Sequence, residues 1–135
     1  MLKLIIGVKG TGKTKNLINL VNTAVENSHG DVVCIEKGTK LRYDVKYKVR
    51  LVDVQEYFVS DAHSLYGFIA GILASNHDVT DLFVDSALKI CNNDIAAFDK
   101  FVEEVNALAA KINVKIIMTS SIPAEEASEV VKKYL

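Results

Sequence analysis

Residues 7–14 read Gly-Val-Lys-Gly-Thr-Gly-Lys-Thr, a complete G-x-x-x-x-G-K-[ST] loop. The apolar run Leu2–Ile6 precedes it, and a segment of helical period follows from Lys13 to about Asn27, with Leu17, Leu20, Val21, Ala24 and Val25 recurring on one face. Strand, glycine-rich turn and amphipathic helix in that order make a phosphate cradle. Gly7, Gly10 and Gly12 let the backbone wrap close to an anion, with N–H groups pointing inward from Lys9, Thr11 and their neighbours. The start of the helix adds the positive end of its dipole. Lys13 then supplies a charge for the β- and γ-phosphates, and the Thr14 hydroxyl a ligand for Mg²⁺. A nucleoside triphosphate is the expected ligand, with ATP and Mg²⁺ as the cofactor pair.

The remainder of the chain alternates strand-length apolar runs with helical segments, which predicts a three-layer α/β/α sandwich around a mostly parallel five-stranded sheet, a P-loop NTPase fold. Further strands are expected at Val32–Glu36, Val49–Val54, Asp81–Asp85 and Val114–Thr119, with a polar, irregular stretch at Lys37–Lys48. His29-Gly30 stops the first helix. Ser60 or Asp61 caps a second, with Leu65, Phe68, Ile69, Ile72 and Leu73 inward. Asn93 or Asp94 caps a third, with Ile95, Phe98, Val102, Val105, Ala109 and Ile112 on one stripe, and Pro123 falls in the first turn of a last helix. At 135 residues, without repeat or linker, the chain reads as a single nucleotide-binding domain, 1–135.

Composition narrows the partners. Net charge is −1 with both signs interspersed, so no overall basic field indicates nucleic acid. Fourteen of the sixteen basic residues are lysines; Arg42 and Arg50 are the only arginines. Cys34 and Cys91 are too few for a metal framework and read as buried structural residues. No apolar run approaches the ~20 residues needed to insert in a membrane, and no signal-peptide region opens the chain. The expected location is cytoplasmic, with a membrane reached at most through a partner.

A bound metal needs a second protein ligand at the end of a neighbouring strand. Asp85, closing Asp81-Leu82-Phe83-Val84-Asp85, fits best, and Asp53 is its competitor. Hydrolysis also needs a carboxylate for the attacking water. Ser86 stands directly after Asp85, so the remaining candidate is Glu36, at the carboxyl end of the second strand where an open α/β sheet forms its ligand crevice. A solvated strand-end charge is the alternative for Glu36. Thr119-Ser120-Ser121 reach the same edge, to sense the γ-phosphate through Thr119, to cap the helix at Pro123, or to do both.

These segments taken in order resemble the RecA-like ATPase core: the P-loop, Val33-Cys34-Ile35-Glu36, Val49-Arg50-Leu51-Val52-Asp53, Leu82-Phe83-Val84-Asp85-Ser86 and Ile116-Ile117-Met118-Thr119-Ser120-Ser121. They are most similar to the KaiC and RadA branch. The resemblance implies Glu36 as the water-activating residue, beside Lys13, in a Mg-dependent ATPase. Departures are also present. There is no room between Asp85 and Asn93 for long DNA-binding loops, the chain stops soon after the fifth strand, and only Arg42 or Arg50 is available as an arginine finger, although lysine can replace arginine in this group. A nucleotide-dependent interaction module with little turnover, working in a homo-oligomer or with a larger partner such as a pilus or secretion motor, is the alternative. A nucleoside or nucleotide kinase is a further one, on the faint likeness of Leu41-Arg42-Tyr43-Asp44 to the substrate loop of type II thymidine kinases.

Overall fold

The computed structural model describes residues 1–135. Strand β1 (Leu2–Ile6) leads through the glycine loop into α1 (Lys13–Asn27), then β2 (Asp31–Glu36), β3 (Arg50–Asp53), α2 (Ala62–Ser75) and β4 (Val79–Val84). A one-turn helix α3 (Ala87–Ile90), the long α4 (Ile95–Ile112), β5 (Lys115–Ser120) and a second one-turn helix α5 (Glu129–Lys132) complete the chain. The sheet order is β1-β5-β4-β2-β3 and every pairing is parallel.

Strand alternation divides the sheet's side chains between two faces. Val32 and Cys34 of β2, Phe83 of β4 and Ile117 of β5 join Leu17 and Val21 of α1 in one cluster. Val33, Ile35, Leu82, Val84, Ile116 and Met118 face the other way, into a larger core with α2 and α4. This is the three-layer α/β/α arrangement predicted from the sequence. No helix is long and apolar enough to cross a membrane.

Caps set where the helices begin. Asp61 opens α2 through a reciprocal capping box with Ser64, and Asp94 opens α4 by accepting the Ala97 N–H at 3.1 Å. Of the alternatives at each start, these two carry the cap. Gly30 lets β2 start close against the backbone just before β4: a Cβ there would meet the Asp78 carbonyl oxygen at 2.3 Å.

Several expectations need correction. Ile95 and Ile112 are 48% and 40% exposed, while Phe101, which lay off the expected stripe, is buried. The reason is length. Eighteen helical residues span about 27 Å, whereas a six-residue strand spans about 20 Å, so both ends of α4 overhang the sheet. Pro123 lies in no helix. Its ψ of 142° is extended, and it precedes a 3₁₀ turn at Ala124–Glu126; the last helix is the single turn of α5, capped by Ser128. β3 is shorter than expected because Asp53 caps a 3₁₀ turn at Val54–Tyr57, and β4 starts earlier, at Val79, leaving Asp85 just past its end. On the second helix, Phe68 and Ile72 are only partly buried.

Burial therefore predicts a ranking along α4. Phe98→Ala should cost about 3–5 kcal/mol as a filled core site is emptied, and Ile95→Ala should stay within about 0.5 kcal/mol. Urea unfolding of both variants, compared at equal m-value, checks this; equal losses would place Ile95 in the core.

Candidate nucleotide site

The loops after β1, β4 and β5 meet at one edge of the sheet, the carboxyl edge where parallel strands leave a crevice. The crevice there has a volume of about 600 Å³, within the range of small-molecule sites. Lys9, Gly10, Gly12, Lys13 and Thr14 line it from the glycine loop. Asp85 and Thr119 line it from the ends of β4 and β5.

Local backbone chemistry explains the loop. Gly12 has φ +84° and ends the loop in the left-handed region, from which the chain turns directly into α1. Thr11 Oγ1 and Lys13 Nζ both donate to the Val8 carbonyl at 2.8 Å, so the loop is tied to itself. Helices α2, α4 and α5 each have a side-chain cap, but α1 has none and no acid in its first turn. Its first N–H groups and positive dipole end are left for an anion.

Asp85 is the centre of the polar contacts. Its Oδ1 accepts from Thr14 Oγ1 at 3.1 Å and from Thr119 Oγ1 at 2.8 Å, joining α1, β4 and β5. Thr119 Oγ1 in turn accepts the Ser86 N–H at 2.8 Å. Ser86 has φ 57°, an uncommon conformation for a residue with a Cβ, and it turns the chain sharply into α3. Asp53 is elsewhere. It ends β3, with β2 between it and β4, and its carboxylate accepts the Gly38 and Gln55 N–H groups at 2.8 and 2.9 Å. Asp53 is thus a strand-end turn former. Ser120 caps no helix at Pro123; its Oγ accepts the Leu88 N–H of α3 at 3.2 Å.

Glu36 is 3% exposed and does not line the crevice. Its carboxylate accepts the Lys40 N–H at 3.1 Å and the Leu41 N–H at 3.2 Å, closing the turn after β2. A solvated strand-end charge is excluded. Burial pushes its carboxyl above the usual carboxylate range; the two N–H bonds oppose this, and the negative charges of Asp85 and Asp53 add to it. Gly7 and Thr11 also lie outside the lining, as the frame behind it: a Cβ on Gly7 would meet Thr11 Oγ1 at 2.8 Å. Arg42 and Arg50 line a separate hollow beside Glu36 and Asp53.

Sequence reasoning missed three lysines of the crevice, Lys15, Lys40 and Lys89. Lys40 sat in the polar stretch 37–48, where the hints were the apolar Leu41 and Val45; Leu41 is buried in one cluster with Leu17 and Val21 of α1. Lys89 lies on α3, a single turn too short to show a period.

The donor set suits the expected ligands. Five lysines and one carboxylate line the crevice, a balance that favours a polyanion. No cluster of three or more His, Cys, Asp or Glu exists to cage a metal. One carboxylate beside one hydroxyl fits Mg²⁺, which retains waters and completes its shell with phosphate oxygens.

Thr119 is buried, so replacing its hydroxyl by a methyl strands the Ser86 N–H. Thr119→Val should cost about 1–3 kcal/mol, while Thr119→Ser, which keeps the oxygen, should remain closer to wild type. Chemical denaturation checks this, and an unchanged Thr119→Val variant would show that the contact adds nothing to stability.

No protein family matches the sequence, and no curated protein matches it. Among solved structures, the chain is similar to a KaiC-like protein from the hyperthermophilic archaeon Pyrococcus horikoshii. The match has a TM-score of 0.72 and 17% identity, over 98% of this chain and 66% of that one. The likeness at that identity is one of fold: the chain shares the α/β fold of that KaiC-like protein.

Proposed function

We propose that this protein binds ATP with Mg²⁺ and hydrolyses it to ADP and phosphate, as a RecA-like ATPase. The observation that carries the reading is the convergence of Thr14 and Asp85 at 3.1 Å, at the mouth of a lysine-lined glycine loop and an uncapped helix. That pairing of hydroxyl and carboxylate is what a P-loop needs to hold a magnesium ion.

In this reading the N–H groups of the loop and α1 hold the phosphates, and Lys13 leaves the Val8 carbonyl to contact the β- and γ-phosphates. Thr14 and Asp85 hold the metal, and Thr119 orients Asp85. Mg²⁺, when bound there, would neutralise phosphate charge. Glu36, whose oxygens hold the Lys40 and Leu41 N–H groups outside the crevice lining, would have to turn toward the site to take a proton from the attacking water as the new P–O bond forms and the bond to the β–γ bridging oxygen breaks.

A second reading has support from one observation. The Glu36 carboxylate is occupied by two backbone N–H groups and stands outside the crevice lining, which favours a nucleotide-dependent interaction module with little turnover.

Calorimetry should find that Lys13→Ala abolishes ATP binding in a folded protein; unchanged affinity would remove the phosphate-site assignment. Asp85→Asn should weaken Mg²⁺-ATP binding more than metal-free ATP binding. Glu36→Gln separates the two readings. Under hydrolysis, phosphate release falls about 10²–10⁴-fold while Mg²⁺-ATP affinity is kept. Wild-type protein that binds ATP without releasing phosphate is the interaction module.

A further inference from the structure

Five lysines surround the crevice, and the glycine loop with the start of α1 accounts for three of them, Lys9, Lys13 and Lys15. The other two arrive from separate elements. Lys40 comes from the turn after β2 and Lys89 from α3. Both have their backbone fixed by a buried polar anchor. Glu36 accepts the N–H of Lys40 itself, and the next residue, Leu41, is packed against α1. Ser120 accepts the N–H of Leu88, the residue before Lys89, and Leu88 and Ile90 on either side are buried.

Neither ammonium is used within the chain. The ion pairs of this protein are Lys46–Glu26, Lys132–Glu129 and Lys133–Glu103, all away from the crevice. Both side chains are exposed. Two cations held on fixed backbone beside a phosphate cradle, neither of them in an ion pair, are left available to an anionic ligand. Neither arginine of the chain lines this crevice. Lysine suits the role because a point charge on a flexible stem needs no planar fork geometry.

We propose that Lys40 and Lys89 are specificity residues for the γ-phosphate, acting within one chain, so that the protein distinguishes a nucleoside triphosphate from the diphosphate without a residue from a second subunit. This assignment rests on the nucleotide-binding reading above and adds to it the source of the cations beyond the P-loop.

The test measures Kd for Mg²⁺-ATP and Mg²⁺-ADP by calorimetry on the full chain, with Lys40→Ala, Lys89→Ala and, as a control for bulk charge, Lys111→Ala. Lys111 is exposed in the last turn of α4, outside the crevice. Loss of one charge-assisted contact to a phosphate oxygen should weaken ATP binding about ten- to a hundredfold, with ADP binding little changed. Lys40→Arg and Lys89→Arg should restore much of the preference, since charge rather than shape is read. The substituted side chains are exposed, so folding is not at risk, and unfolding midpoints confirm it. The preference should also be the same at low and high protein concentration.

Equal losses for ATP and ADP would overturn the proposal, as would no loss at either site or the same loss in Lys111→Ala. A preference that appears only at high protein concentration would assign the cation to a second chain. Wild-type protein that binds neither nucleotide would instead remove the nucleotide-binding reading, and this assignment with it.

Discussion

Three segments far apart in the chain depend on the carboxylate of Asp85. Through Oδ1 it holds the hydroxyl of Thr14 at the start of α1 and that of Thr119 at the end of β5, while its own residue follows β4. Parallel strands have no hairpins to set their ends level, so the carboxyl edge of such a sheet must be organised by contacts of this kind. Thr119 extends the arrangement by one step. Its oxygen takes the Ser86 N–H, which holds Ser86 in a conformation that residues with a Cβ seldom adopt. The left-handed turn then starts α3, and Ser120 takes the Leu88 N–H one step further on. Two adjacent residues of β5 thus fix both the acid and the helix behind it.

A strong periodic signal was legible in the sequence; a signal made by neighbours across the fold was not. The glycine loop, α1, the buried strands and the carboxyl-edge positions of Asp85 and Thr119 follow from local pattern, since each depends on residues within one element. The ends of α4 do not. Ile95 and Ile112 continue the right period, but whether a residue on that stripe is covered depends on the length of the sheet beneath it. Lys40 and Lys89 had no local signal because what brings them to the crevice is the burial of Leu41, Leu88 and Ile90 and two polar anchors from other strands. Local pattern favoured Asp85 but left Asp53 as its competitor, since both close apolar strands. Sheet order separates them: one strand lies between β3 and β4, and the Asp53 carboxylate is taken by N–H groups of its own turn and of the loop after β2.

Under the proposed function, Glu36 would tie the chemistry of the site to the order of the segment that follows it. Its two oxygens close the turn at Lys40 and Leu41, and the side chain of Asn22 holds the same segment further along, donating to the Asp44 carbonyl and accepting the Lys46 N–H. A carboxylate that both takes a proton from water and holds two N–H groups faces competing demands. Protonation weakens it as an acceptor for Lys40 and Leu41, and those two bonds in turn favour the charged form against the effect of burial and the negative charges of Asp85 and Asp53. Proton uptake at Glu36 would therefore loosen the backbone carrying Lys40 as the γ-phosphate is cleaved. Under the proposed function this gives the 37–48 segment a physical link to the state of the nucleotide. The link requires no long-range displacement, because the acid and the turn it closes at Lys40 and Leu41 lie within five residues of one another.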